Sequence, residues 1–401
     1  MIVAPAFRPW SSLQEMPDRK PANKTFSRFA LSAGGSSTVA GLPRREPSTL
    51  ALPANRWRVL GDRFRLTSDQ SRPMSISSLV RSVIPTPLRK RARELLAPRH
   101  IRHWPSKTAQ VPWFDRPDAL EQLENRRRTG GLSDKDYELL TRWVTDGYCV
   151  AEGIIPEDLI NVMMRDLNDL WMNDQPFAGL DFCDLRIGND APKPKTSHAE
   201  LLKLTPTERM QARIQSNWRT HSFQKYSAGA NAIFNHPEMA RLASSILYCR
   251  ALPQGSINFE YGSKQDAHQD TAVFHVFPAN HIVGAWIACE DISIDCGPLM
   301  FYPASHREPL FSKFNNYPQT NLRTANPEVA RAYREHVNDL TRNYERRLFL
   351  GKKGDVFFWH GMMLHGGSEI KDPSLTRKSF VIHYMPKGAN VEGRIVGPFN
   401  W

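Results

Sequence analysis

The chain has 401 residues, 40% hydrophobic and 23% charged, which is the composition of a globular protein long enough to bury a large core. It contains no run of about 18 apolar residues that would read as a membrane span, and Cys149, Cys183, Cys249, Cys289 and Cys296 form no C-x-x-C pair, which argues against a disulfide framework or structural zinc and for reduced thiols in a cytoplasmic protein. The formal charge of +12 suggests nucleic acid only until it is located: residues 1–100 carry 18 Lys+Arg against 6 Asp+Glu, and the rest carries 35 of each, so the basicity belongs to an N-terminal arm.

Residues 1 to about 73 are rich in Pro, Ser, Ala and Arg, follow no period of 3.6 or 2, and are expected to be disordered. They lack the apolar stretch of a secretory signal, and Glu15, Asp18 and several prolines speak against a mitochondrial one. Translation from Met74 is the other origin open for this segment. A short basic helix is expected near 86–97, with Thr86 as N-cap, Pro87 in its first turn and Leu88, Ala92, Leu95 and Leu96 as its apolar stripe. Such a helix docks on a domain or lies on a membrane surface. The division expected is a basic arm over 1–105 and one catalytic domain over 106–401.

Within the domain, Ser133 with Asp136 three residues later opens a helix carrying Tyr137, Leu140 and Val144, and Gly147 stops it. Tyr148, Cys149 and Val150 are extended. Pro156 opens a second amphipathic helix through Leu159, Ile160, Met163, Leu167 and Leu170, and Asn235 and Pro237 open a third with Met239, Leu242, Ala243, Ile246 and Leu247. Beyond 250, short apolar or alternating runs predict strands over Ser256–Tyr261, Ala272–Phe277, Val283–Cys289, Pro298–Tyr302, Asp355–His360 and Lys378–Tyr384. One helix interrupts them from Asn326 to Tyr344, as a lid over a pocket or a plain surface helix. Helices followed by strands give an α+β class with the strands folded as a sandwich or jelly roll.

The chemistry centres on Ala267-His268-Gln269-Asp270-Thr271. On a strand His268 and Asp270 share a face, so an imidazole and a carboxylate can grip one ion. H-x-D alone is a weak signal. A second imidazole is offered by His360 or His365 in the run from Gly354 to Gly367, and His365, followed by two glycines, has the setting where backbone passes close to a ligand. Two His and one carboxylate make the facial set of a non-haem iron(II) oxygenase with three open positions. His360, like His275, His281 and His306, reads as structural, while His383 could face the pocket. Arg377 opens a run in which it alternates with Ser379, Val381 and His383 on one face. A cation aimed into a core needs an anion, and the distal carboxylate of 2-oxoglutarate matches a guanidinium fork.

The ordered motifs His268-Gln269-Asp270, Ala285-Trp286, Cys296-Gly297-Pro298-Leu299 running into Pro303-Ala304-Ser305-His306-Arg307, Gly354-Asp355 through His365-Gly366, and Arg377-Lys378 make the chain resemble the phytanoyl-CoA dioxygenase family from about Asp136 to Pro386. The resemblance implies a double-stranded β-helix (jelly-roll, cupin-like) core with flanking N-terminal helices. It implies iron ligands at His268, Asp270 and His365, a 2-oxoglutarate arginine at Arg377, a co-substrate-lining tryptophan at Trp286, and a further co-substrate contact at Lys225. Ser379, on the face of Arg377, joins the cofactor-binding set. The implied reaction consumes Fe(II)-bound 2-oxoglutarate and O2, hydroxylates a C–H bond of a small organic substrate and releases succinate and CO2. Asp270 stands where related halogenases carry a small residue, which favours hydroxylation.

The alternative from another class is a jelly-roll binding protein without catalysis, and a zinc or manganese cupin is disfavoured because no His-x-His followed by Glu occurs. The partner expected is a small molecule, with nucleic acid confined to the arm if anywhere, and the assembly a monomer or homodimer. The substrate itself is not legible.

Overall fold

A computed structural model describes residues 111–396 except 275, 315–321, 323–324 and 392–393. The expected disordered arm, the basic helix near 86–97 and His275 lie outside the described residues. No helix among the described residues is long and apolar enough to cross a membrane.

The first half is mainly helical. Helix α1 spans Ala119–Arg128 and α2 Asp134–Asp146; the Ser133 hydroxyl accepts the Asp136 N–H at 3.1 Å, and Gly147, at φ 80°, ends α2 in the left-handed conformation. Strand β1 (Tyr148–Ala151) leads to α3 (Glu157–Met172), whose Ile160, Met163, Leu167 and Leu170 are buried at the expected helical spacing. Then follow β2 (Asp181–Cys183), β3 (Thr196–Ser197), α4 (His198–Leu201), α5 (Pro206–Ile214), β4 (Arg219–His221), α6 (Ala228–Phe234) and α7 (Pro237–Leu247). Asn235, expected to open α7, instead ends α6, and His236 takes the N-cap position of α7.

The second half supplies the strands β5 (Ala251–Phe259), β6 (Val276–Phe277), β7 (Val283–Ala288), β8 (Leu299–Phe301), β9 (Arg347–Phe349), β10 (Val356–His360), β11 (His365–Gly367), β12 (Ser379–Pro386), β13 (Asn390–Val391) and β14 (Arg394–Ile395), with α8 (Pro327–Thr341) between β8 and β9. Eight strands form one antiparallel sheet in the order β1-β10-β7-β12-β5-β4-β2-β3, and β11-β8-β9 form a smaller one. The chain is thus mixed helix and sheet with a large antiparallel sheet.

Alternation divides the large sheet between two cores. Val356, Phe358, Ala285, Ile287, Phe380 and Ile382 pack with Trp143, Ile160, Met163 and Ile246 of the helices. Phe357, Trp359, Trp286, Val381 and Phe259 face the other way and pack with Leu299, Phe301 and Phe349 of the small sheet. Strand β7, covered on both faces, is buried at every position, which explains its unbroken apolar sequence.

One strand expectation is corrected. Ala272–Phe277 is not a continuous strand: Asp270–Ala272 form a 3-10 turn and only Val276–Phe277 pair. The N–H groups of Val273 and Phe274 donate to the Asp270 carbonyl at 2.9 and 2.8 Å, so a local turn takes the donors that a ladder would need.

Candidate metal centre

His268 is not on a regular strand. It forms an isolated antiparallel bridge with His365, its N–H donating to the His365 carbonyl at 2.9 Å and its carbonyl accepting the His365 N–H at 3.1 Å. Only Gln269 between His268 and Asp270 is extended, at φ −109° and ψ 133°, before the 3-10 turn begins. That single residue suffices to put His268 and Asp270 on one side.

Ligating atoms of His268, Asp270 and His365 all lie within 4.8 Å of one another. The Asp270 Oδ1 is 3.9 Å from His268 Nε2 and 3.8 Å from His365 Nε2. Each imidazole is held through its other nitrogen: His268 Nδ1 lies 2.9 Å from the Asp266 carbonyl and His365 Nδ1 2.9 Å from the Met363 carbonyl. An Nδ1 that donates to a carbonyl leaves a bare Nε2 lone pair, the form a metal requires. Burial pushes the His365 imidazolium down to about 4 against the pull of Asp270, so the ring is neutral at pH 7. Burial acts to raise the Asp270 carboxyl, but the imidazoles of His383, His365 and His268 outweigh it and hold the group well below the usual carboxylate range.

The two glycines after His365 serve a close approach of backbone to backbone. A Cβ at Gly366 would sit 2.7 Å from the Gln265 carbonyl, and one at Gly367 2.6 Å from Ser263 Oγ, so they let β11 run against the segment that delivers His268.

The three residues line a cavity of about 330 Å³ between the two sheets, together with Phe259, Trp286, Leu299, Trp359, Val381, His383 and Arg377. Arg377 is 2% exposed. Its Nη1 donates to the Gly297 carbonyl at 3.2 Å, its Nε has no partner, and it makes no ion pair among the described residues. Its guanidinium lies 5.6 and 5.8 Å from the ring centres of Phe259 and Trp286, and burial lowers its pKa to about 10. Ser379 is buried with its hydroxyl unpartnered but is not part of the cavity wall. The polar rim is Arg219, His221, Ser222, Gln254 and Ser256. Lys225 is a correction: after the left-handed turn at Ser222, φ 61°, it sits exposed and lines no part of the cavity.

The other histidines separate as follows. His360, on the helix-facing side of β10, is fully buried with Nε2 3.2 Å from Asp115 and its ring packed on Phe114 and Trp143. His306 packs against His360, and Asp115 lies within electrostatic reach of His281. His383 does face the cavity, its Nε2 donating to Asp270 Oδ2 at 3.1 Å. Trp359, unremarked in the sequence, donates from Nε1 to the same oxygen at 2.9 Å. The signal available was alternation with Phe357 plus the need of a buried indole N–H for an acceptor. Helix α8 is no lid here: Tyr333, Val337 and Leu340 pack on Phe311 and Phe314, and none of its residues lines the cavity. A more open cleft of about 440 Å³ elsewhere pairs Lys378 with Glu290 at 3.0 Å and Lys353 with Glu157 at 3.4 Å, and it holds none of the residues of the centre.

Two imidazole nitrogens and one carboxylate oxygen converge on the wall of the cavity as a group that could hold a metal ion. The model of the phytanoyl-CoA dioxygenase (PhyH) family matches residues 143–379, more than half of the chain, and the chain belongs to that family. Among curated relatives, the peroxisomal phytanoyl-CoA dioxygenase of Rattus norvegicus is 27% identical over 244 residues, 60% of this chain and 65% of that one. The Bos taurus enzyme is 30% identical over 122 residues, 30% of this chain and 34% of that one. The chain thus spans about one third to two thirds of the length of these relatives. Among solved structures, the non-heme alpha ketoglutarate dependent carbocyclase SnoK from nogalamycin biosynthesis aligns with a TM-score of 0.46 at 14% identity, covering 64% of this chain and 85% of that one. Apo EctD from S. alaskensis aligns with a TM-score of 0.45 at 16% identity, covering 67% and 81%.

Proposed function

We propose that the chain is an Fe(II)- and 2-oxoglutarate-dependent dioxygenase that hydroxylates a C–H bond of a small organic substrate. The reaction turns substrate, 2-oxoglutarate and O2 into hydroxylated product, succinate and CO2. The catalytic domain is taken as 106–401 with a double-stranded β-helix core, a proposal supported by the two sheets that share one apolar interior. A cytoplasmic site is retained on the strength of five cysteines that are all unpaired.

The observation that carries the proposal is a buried, uncompensated guanidinium in the same cavity as a His-Asp-His cluster. Leaving Arg377 without an anion is costly, and a dicarboxylate whose far end meets it removes that cost. His268 Nε2, Asp270 Oδ1 and His365 Nε2 would hold iron(II), and two neutral imidazoles with one carboxylate leave a net charge near +1 that attracts an anionic chelator. Bound there, iron with 2-oxoglutarate and O2 supplies the oxidising chemistry. The protein's part is positioning and exclusion of water. Arg377 binds the distal carboxylate. Trp286, Phe259, Leu299 and Val381 form the apolar wall around it. A space of about 330 Å³ shared with the co-substrate admits a small substrate or one end of a longer one.

The test is anaerobic addition of Fe(II) and 2-oxoglutarate, read by the weak visible charge-transfer band, and then admission of O2 with candidate substrates, read by succinate release. Asp270→Ala should abolish both. Near-wild-type turnover in that variant would overturn the proposal, and a protein that binds 2-oxoglutarate but never turns over would be a binding protein instead.

A further inference from the structure

We propose that Trp359 and His383 are positioning residues that clamp the outer oxygen of Asp270 so that it offers a metal only one oxygen, and that Gly284 is the position that makes this clamp possible. The inference rests on His268, Asp270 and His365 being the metal ligands.

The two oxygens of Asp270 have different surroundings. Oδ1 faces the Nε2 atoms of His268 and His365, while Oδ2 accepts from Trp359 Nε1 at 2.9 Å and His383 Nε2 at 3.1 Å. Two N–H donors take up the two acceptor sites of Oδ2. A carboxylate so held binds an ion through Oδ1 alone. The difference matters for the number of free positions. One-oxygen binding leaves three positions for a two-point co-substrate and O2, whereas two-oxygen binding would take one of them.

Three neighbouring strands build the clamp in a single row. Gly284 of β7 is the cross-strand partner of Trp359 on β10 and of His383 on β12. A Cβ at Gly284 would fall inside the indole of Trp359, so the indole lies flat over the glycine and reaches sideways to Asp270. The His383 ring meets that indole edge-on at 5.8 Å between centroids and is backed by Phe274 at 4.7 Å. Trp359 also packs on the His365 ring at 5.0 Å, so one indole orients a donor to one ligand and a wall to another. His383 itself is not part of the group of three whose ligating atoms lie mutually within 4.8 Å, as suits a residue acting through Asp270.

The experiment measures Co(II) affinity by chelator competition, the Co(II) absorption spectrum, and 2-oxoglutarate binding to the metal-loaded protein without turnover. Wild type, Asp270→Ala, Trp359→Phe, His383→Leu, His383→Gln and Gly284→Ala are compared, with circular dichroism as the check on folding. Trp359→Phe and His383→Leu should each weaken metal or co-substrate binding about 10–100-fold and alter the Co(II) spectrum. His383→Gln, whose amide N–H can still reach Oδ2, should recover most of the loss, and Gly284→Ala should reproduce Trp359→Phe. Wild-type protein that binds no Co(II) through Asp270 sinks the metal centre and the clamp together. Wild-type binding with His383→Leu and Trp359→Phe within twofold of it, spectra unchanged, sinks the clamp alone, and His383→Leu decides by itself should Trp359→Phe not fold. Gly284→Ala with wild-type behaviour removes the role of the glycine.

Discussion

His268 and His365 are joined backbone to backbone, each donating its N–H to the other's carbonyl at 2.9 and 3.1 Å, with ring centroids 4.5 Å apart. The spacing of the two imidazoles is therefore fixed by main-chain bonds that no side-chain substitution removes. His268→Ala and His365→Ala should each fold, because the bridge survives, yet lose metal affinity by more than the 10–100-fold typical of outer partners. Calorimetric titration with Fe(II) under anaerobic conditions measures it, and near-native affinity in either variant would contradict the assignment of ligands.

Arg377 gives a prediction with opposite signs for binding and stability. Its buried charge meets no anion among the described residues, so Arg377→Met should leave the ligand-free protein at least as stable as wild type. The same change should abolish the rise in melting temperature that 2-oxoglutarate gives the iron-loaded protein. Arg377→Lys keeps the charge without the planar fork and should lose about tenfold in co-substrate affinity. Thermal melts with and without 2-oxoglutarate read both effects. A large destabilisation of ligand-free Arg377→Met would mean the guanidinium is a structural bond instead.

Acid should destabilise the metal-free protein well above the carboxylate range. Burial pushes His306 down to about 3 and His365 down to about 4, from 6.5 in the unfolded chain. Between pH 6.5 and 4 the unfolded state therefore holds protons that the folded state cannot, and stability falls as pH falls, by up to about 1.4 kcal/mol per pH unit for each histidine. Urea midpoints at pH 7, 6 and 5 test this, and a flat profile would refute it.

Tyr333 of α8 accepts the Gln269 N–H at 3.0 Å, between two of the proposed ligands, and is itself 1% exposed. Tyr333→Phe leaves a buried donor without a partner and should cost about 1–3 kcal/mol. Chemical denaturation measures the loss, and unchanged stability would show that another acceptor replaces the hydroxyl.

Much of this molecule is legible in its sequence. The periodic helices α2, α3 and α7 appear where the apolar spacing puts them, because one buried face suffices to specify an amphipathic helix. The strands β5, β7, β8, β10 and β12 overlap their expected runs, and His268, Asp270 and His365, about a hundred residues apart, stand out through residue type and neighbouring glycines. The run from Ala272 to Phe277 misleads because Ala272 is buried in a turn as fully as it would be in a ladder.

What the sequence determines by itself is the family, the mixed class and the chemical character of the site, all of which follow from local pattern and residue type. Tertiary structure alone decides which groups surround that site: that Lys225 is turned out to solvent, that His360 answers to Asp115, and that Trp359 and His383 share one carboxylate oxygen. Those relations depend on cross-strand register, which brings Trp359, Gly284 and His383 into one row although up to 99 residues separate them in the chain. Register is set by how whole faces pack, and no single segment encodes it.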